Sequence, residues 1–147
     1  MIALHAGILF TGYLAFLLAV VSGLAFLIQE RRLKRKDPRF LYSSILPLEL
    51  LDRINLYAVV SGFLLFTLGM VGGYFLARKE WGAYFSADPK EMASLLTWVA
   101  YAFVLVLRLS VGLRGRRVVF MSVMSFGMVL FTFVGVNYWL GGRHVFF

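Results

Sequence analysis

Residues 1–29 read MIALHAGILFTGYLAFLLAVVSGLAFLIQ, and residues 30–39 read ERRLKRKDPR. The first segment holds no Asp, Glu, Lys or Arg, and the second holds six basic side chains. A helix rises about 1.5 Å per residue and a bilayer core is roughly 30 Å thick, so about 20 apolar residues suffice to cross it. The opening run exceeds that length and stops at a block of charge, the pattern of a membrane span followed by its anchor. Three further uncharged stretches, 54–77, 92–107 and 118–142, repeat the pattern, the third provided that it tolerates Arg108. The reading is an all-α membrane protein of four transmembrane helices, about 6–29, 56–77, 92–113 and 118–140, in one domain covering 1–147. At 147 residues, 61% hydrophobic and 15% charged, the chain is too apolar for a soluble core of its size, and four crossings leave no room for a separate soluble catalytic domain.

The net charge of +8 is explained by where the charges fall. Arg31, Arg32, Lys34, Arg35, Lys36 and Arg39 follow the first span, and Arg114, Arg116 and Arg117 fill the turn before the fourth. Between spans two and three, Arg78, Lys79 and Lys90 are offset by Glu80, Asp88 and Glu91. The positive-inside rule makes the two basic loops cytoplasmic and places both termini and the 78–91 loop outside. A nucleic-acid reading of the basic tract is set aside, because the tract lacks interleaved aromatics; anionic lipid headgroups suit it better. The first 29 residues do not read as a cleaved signal peptide, since their positive charges come after the apolar stretch and that stretch is too long.

In the second part of the basic loop 30–53, from Phe40 to Arg53, Leu41, Ile45, Leu48, Leu51 and, just beyond, Ile54 recur at three and four residues, broken by Pro47. This predicts a short amphipathic helix on the inner surface, ahead of span two. Gly7, Gly12 and Gly23, and the pair Gly69 and Gly73, mark places where helices can approach closely. Asp88, Pro89 and Glu91 form a helix-start signature for span three. Arg108 is expected to snorkel to the inner headgroups as an anchor. Trp81, Tyr84 and Phe85 suit an interfacial aromatic belt. The absence of cysteine excludes disulfides, thiolate metal sites and a c-type haem attachment of the chain's own. No dinucleotide or Walker pattern, carboxylate pair, Ser-His-Asp set or HExxH motif offers an enzymatic site, so no catalytic residues are assigned. The two histidines, His5 and His144, fall at the outer face in this topology. There they serve either as interfacial residues or as a pair of axial ligands.

The string WGAYFSADPKE at 81–91, the LLTW at 95–98, the GVN at 135–137 and the histidine seven residues beyond Asn137 resemble the membrane-embedded cytochrome c assembly family, which includes CcsA-, CcmC- and HemX-like proteins. Upstream, Leu4-His5 with Tyr13, Leu51-Asp52, and Gly62, Phe63, Leu65, Thr67 and Gly69 resemble further family motifs. The similarity covers nearly the whole chain and corresponds to the C-terminal half of a full-length member. It implies haem at the outer face, haem b with His5 and His144 as iron ligands and Trp81, Tyr84 and Phe85 as a platform for its edge. The chain departs from the family at Phe85, Ala87 and Ala93, where the motif has tryptophan, and at Val106, where the synthetase branch has a membrane-embedded histidine. The implied function is a membrane subunit of cytochrome c biogenesis in a bacterial-type inner membrane, with an organelle membrane as the alternative. The departures leave a HemX-like scaffold as a second reading, and the two histidines permit a third, a b-type haem electron-transfer subunit. Implied partners are lipids, a membrane protein supplying the missing half or a second copy, and apocytochrome c.

Overall fold

The computed structural model describes residues 2–36, 39, 46–82, 88–131, 134, 135 and 138. They form four helices and, among the described residues, no strand: α1 (Ile2–Lys34), α2 (Leu48–Trp81), α3 (Pro89–Leu109) and α4 (Arg116–Leu130). α1, α2 and α3 are each long and apolar enough to cross a membrane. The described part of α4 is 15 residues, and the rest of the expected fourth span lies mostly outside the described residues.

Helix ends differ from the expectation: α1 and α2 run longer, and α3 starts and stops earlier. α1 has 33 residues, roughly 50 Å, so it runs past the apolar stretch and carries Arg31, Arg32 and Lys34 in its last turn. Cations there oppose the negative end of the helix dipole, and Glu30 pairs with Lys34 at 3.2 Å. Leu48–Arg53, expected to close a separate surface helix, instead form the first turns of α2. Pro47 stands at the N-cap with extended backbone, the Leu51 N–H already bonds to the Pro47 carbonyl, and no break occurs before Leu56. The physical reason is that a three-and-four spacing specifies a helix but not where it stops, and nothing between Leu48 and Leu56 breaks one. The remainder of the proposed surface helix, 40–45, is outside the described residues. α2 ends at Gly82, whose φ of 73° permits its N–H to close on the Arg78 carbonyl at 2.9 Å. α3 stops at Leu109, four residues before the expected end. There the chain turns through Gly112 at φ 72°, with the Leu113 N–H bonded to the Leu107 carbonyl.

Asp88 immediately precedes α3, is buried, and its carbonyl accepts the Met92 N–H at 3.1 Å, with Pro89 in the first helical position. A side chain in that place satisfies an orphan helix donor. Asp88→Ala is therefore expected to lower stability by about 0.5 to 2 kcal/mol while Asp88→Asn is nearly silent, read from thermal melts in detergent; equal losses in both would remove the cap assignment.

Around the bundle the order is α1, α2, α3, α4, with α1 packed on α2 and α4, and α3 on α4 and α2. α1 and α2 share the longest interface and run antiparallel. Gly12 meets the backbone of Phe66 and Gly62, Gly62 receives the ring of Phe16, and Gly69 receives Leu9. Gly23 lies against Val119, Val123 and Asn55, joining α1 to α4. Gly7, by contrast, has nothing within 4 Å of where a side chain would begin among the described residues. Lipid tails are as apolar as leucine, so close approach and interhelical hydrogen bonds hold helices together in a bilayer. The core follows that rule. Phe16 and Tyr101 stack at 3.9 Å across the bundle, bridging two helices that do not otherwise approach, with Ala19, Ala58, Val59, Phe66, Val104 and Val118 around them. Leucine, valine and phenylalanine side chains such as Leu4, Phe10, Leu64, Phe75 and Phe103 point outward.

Candidate functional site

His5 lies in the second turn of α1, half-buried against α2. Its ring stands over two glycines: a Cβ at Gly73 would be 2.9 Å from the imidazole Cε1 and 3.5 Å from Nε2, and one at Gly72 would be 3.7 Å from Nδ1. The imidazole thus rests on the backbone of α2 itself. His5 and Leu9 are one turn apart on α1, and Gly73 and Gly69 one turn apart on α2, so a single register places both pairs. The expected small-residue pair at 69 and 73 is present, and the structure gives it a use that spacing alone did not: one of its two niches holds a histidine. Trp81 is the last residue of α2, eight residues beyond Gly73 and therefore about 12 Å further along the axis, at the same end of the bundle as His5. Tyr84, Phe85 and His144 lie outside the described residues, so their relation to His5 is an expectation only.

A second constellation sits toward the other end of the bundle, where the sequence expected only an anchor. Arg108 does not snorkel. Its side chain is 3% exposed, its Nη2 pairs with Asp52 Oδ1, and its Nη1 donates to Asn55 Oδ1 at 3.1 Å. The Asn55 amide in turn donates to the Ala19 carbonyl at 2.7 Å and to Ser122 Oγ at 2.9 Å, and the Ser122 hydroxyl donates to the Val119 carbonyl. One chain of hydrogen bonds therefore touches all four helices. The reason it overrides snorkelling is that Asp52 and Asn55, three residues apart on α2, face the end of antiparallel α3 at the same depth. A nearby carboxylate with an amide beside it satisfies a guanidinium without dragging it to the surface. The available signal was the acidic residue near the start of one span and the arginine near the end of the next, and it becomes visible only when the two helices are aligned. Higher in the seam between α2 and α3, Trp98 Nε1 donates to Thr67 Oγ1 at 2.9 Å and its indole lies against Phe63. Trp98 is thereby a helix-to-helix tie.

Apolar side chains outward, with small and hydrogen-bonded polar ones inward, define a multi-pass helical membrane protein. The family model of the cytochrome C assembly protein matches residues 1–144, and the chain belongs to that family. Among curated relatives, it is 38% identical over 96 residues to the cytochrome c biogenesis protein CcsA of Prochlorococcus marinus subsp. pastoris, covering 65% of this chain and 31% of that protein. It is 29% identical to the CcsA of a Synechococcus species over 92% of this chain and 52% of that protein. The chain thus spans between about a third and about half the length of the relatives it matches.

Proposed function

We propose that this chain is a membrane subunit of cytochrome c biogenesis that binds or presents haem b at the outer membrane face, with His5 as one iron ligand, His144 as the other, and Trp81, Tyr84 and Phe85 against the haem edge. The observation that carries the reading is the seating of His5. An axial ligand must be held in one orientation, and an imidazole laid on glycine backbone at a helix–helix contact is so held. Its position at the Trp81 end of the bundle and the family membership support the same assignment. Haem bound there supplies the prosthetic group that an apocytochrome takes up. The chain's own part is to bind and orient it, with effective concentration as its contribution to the reaction. The basic end of α1 and the α3–α4 turn face the cytoplasm and its anionic lipids, with both termini outside. A further membrane chain, or a second copy, is the partner proposed for the outward apolar faces.

Two experiments test this. The topology requires a reporter fused at Lys36 to read cytoplasmic and one at Phe147 to read external; two readings on the same side would overturn it. The haem assignment is tested by absorption spectra of the purified protein after reconstitution with haem b. Wild type is expected to give a low-spin six-coordinate spectrum, and His5→Ala and His144→Ala each to lose it. Equal haem binding in all three proteins, or in none, sinks the ligand assignment and leaves a HemX-like scaffold as the reading.

A further inference from the structure

We infer that Gly73 is a positioning residue for the histidine ligand: by lacking a side chain it sets the seat of the His5 imidazole, and so controls whether haem iron can be bound in a low-spin state. This rests on the haem reading above and goes beyond it by assigning a role to a residue that touches neither haem nor iron. The argument is steric. A Cβ added at Gly73 would lie 2.9 Å from His5 Cε1, a separation that real Cβ atoms essentially never adopt, so something must move. The nearest atoms are all in the imidazole, the far end of a side chain with two rotatable bonds, and none belongs to the α1 backbone. The ring therefore yields before the helices do. The helix pair survives, and the ligand is turned away from the position the glycine allowed.

Neighbouring glycines separate this role from helix packing. At Gly72 a Cβ meets His5 Nδ1 at 3.7 Å, an ordinary contact, so Gly72→Ala should leave the ring in place. At Gly62 a Cβ would meet the Phe16 ring at 2.6 Å, a harsher clash in the same interface, three turns from His5. If Gly73 mattered only for helix packing, Gly62→Ala would do at least as much harm to haem binding as Gly73→Ala.

The experiment uses the full chain in detergent or nanodiscs, titrated with haem b, with far-ultraviolet circular dichroism as the check on folding. Gly73→Ala is expected to retain wild-type helicity, to weaken haem binding roughly tenfold or more, as loss of a ligand-orienting neighbour does at other metal sites, and to move the spectrum toward high spin. Gly72→Ala and Gly62→Ala are expected to stay low-spin. A low-spin spectrum and unchanged affinity in Gly73→Ala, in a protein whose haem depends on His5, overturns the positioning role and leaves the haem reading standing. A wild type that binds no haem, or binds it equally in His5→Ala, overturns both. Should Gly73→Ala fail to fold, His5→Gly/Gly73→Ala removes the clash, and free imidazole becomes the probe. It should restore the low-spin spectrum in His5→Gly and fail to do so in the double variant. Equal rescue of both refutes the proposal.

Discussion

Asp52→Ala is expected to destabilise the folded protein by about 3 to 5 kcal/mol, the cost of leaving a buried charge without its partner. Arg108 is 3% exposed and its Nη2 is directed at Asp52, so the alanine variant strands a guanidinium inside the bundle with only Asn55 beside it. Snorkelling and local thinning of the bilayer relieve part of such a penalty, which keeps the expected value well under what an isolated arginine at the membrane centre would incur. Removing both charges should be much milder. In Asp52→Leu/Arg108→Leu the desolvation cost disappears with the ions, and replacing a buried pair by apolar side chains is often neutral. Asn55→Leu breaks neutral hydrogen bonds as well as one to Arg108, and about 1 to 2 kcal/mol is the expected loss on the scale of interhelical hydrogen bonds in membranes. Unfolding in mixed micelles with increasing denaturing detergent gives all three values. An Asp52→Ala loss below about 1 kcal/mol, within the range of exposed ion pairs, or a double variant no better than the single, would show that the pair is solvated and not buried.

Phe16→Ala should be the next most damaging change, with an expected loss of about 2 to 3 kcal/mol, less than the roughly 3 to 5 kcal/mol of a water-soluble core. The discount has a definite origin. In water, a buried phenylalanine gains both from leaving solvent and from packing; among lipid tails only the packing remains, because the unfolded span is already in an apolar medium. What the substitution loses is the ring stacked on Tyr101 at 3.9 Å, its tilted contact with Phe66 and the filling of the niche at Gly62. Phe16 and Tyr101 span the diagonal between α1 and α3, whose backbones do not approach each other. The cavity should therefore stay open. Phe16→Leu, which refills much of the volume, is expected to recover more than half of the loss in the same unfolding measurement; a Phe16→Ala variant as stable as wild type would mean that the helices collapse onto the space.

Three of the four expected spans were legible because a bilayer imposes a length and forbids charge, and both leave marks in a single sequence. The ends of the helices were not, because a helix can continue beyond the apolar stretch wherever good helix formers follow it. Leu33 and Lys34 extend α1, and Leu48 through Arg53 extend α2, for this reason. Glycine spacing pointed to Gly12, Gly23 and the 69 and 73 pair, all at close contacts, but also to Gly7, which meets none of the described residues. Spacing marks an opportunity for contact without naming what fills it. The Arg108 reading failed on a different ground. Snorkelling is an argument about one helix and its solvent, whereas the partner that decides the matter lies on another span, 56 residues earlier. Of the candidate haem residues, His5 was legible as a residue near the end of a span and as a match to the family pattern. The glycine bed beneath it required the register of two helices.

The Arg108 hub also bears on how the protein is made. Translation delivers α1 and α2 before α3, and these two helices share the longest interface. The hairpin they form already carries Asp52 and Asn55, with Asn55 tied to the Ala19 carbonyl. When α3 leaves the ribosome its arginine enters a bilayer that holds the matching carboxylate, and α4 follows with Ser122 to complete the set. α3 and α4 thus join against a template laid down by α1 and α2. A charge that would oppose integration of α3 alone becomes the feature that directs it to its neighbour.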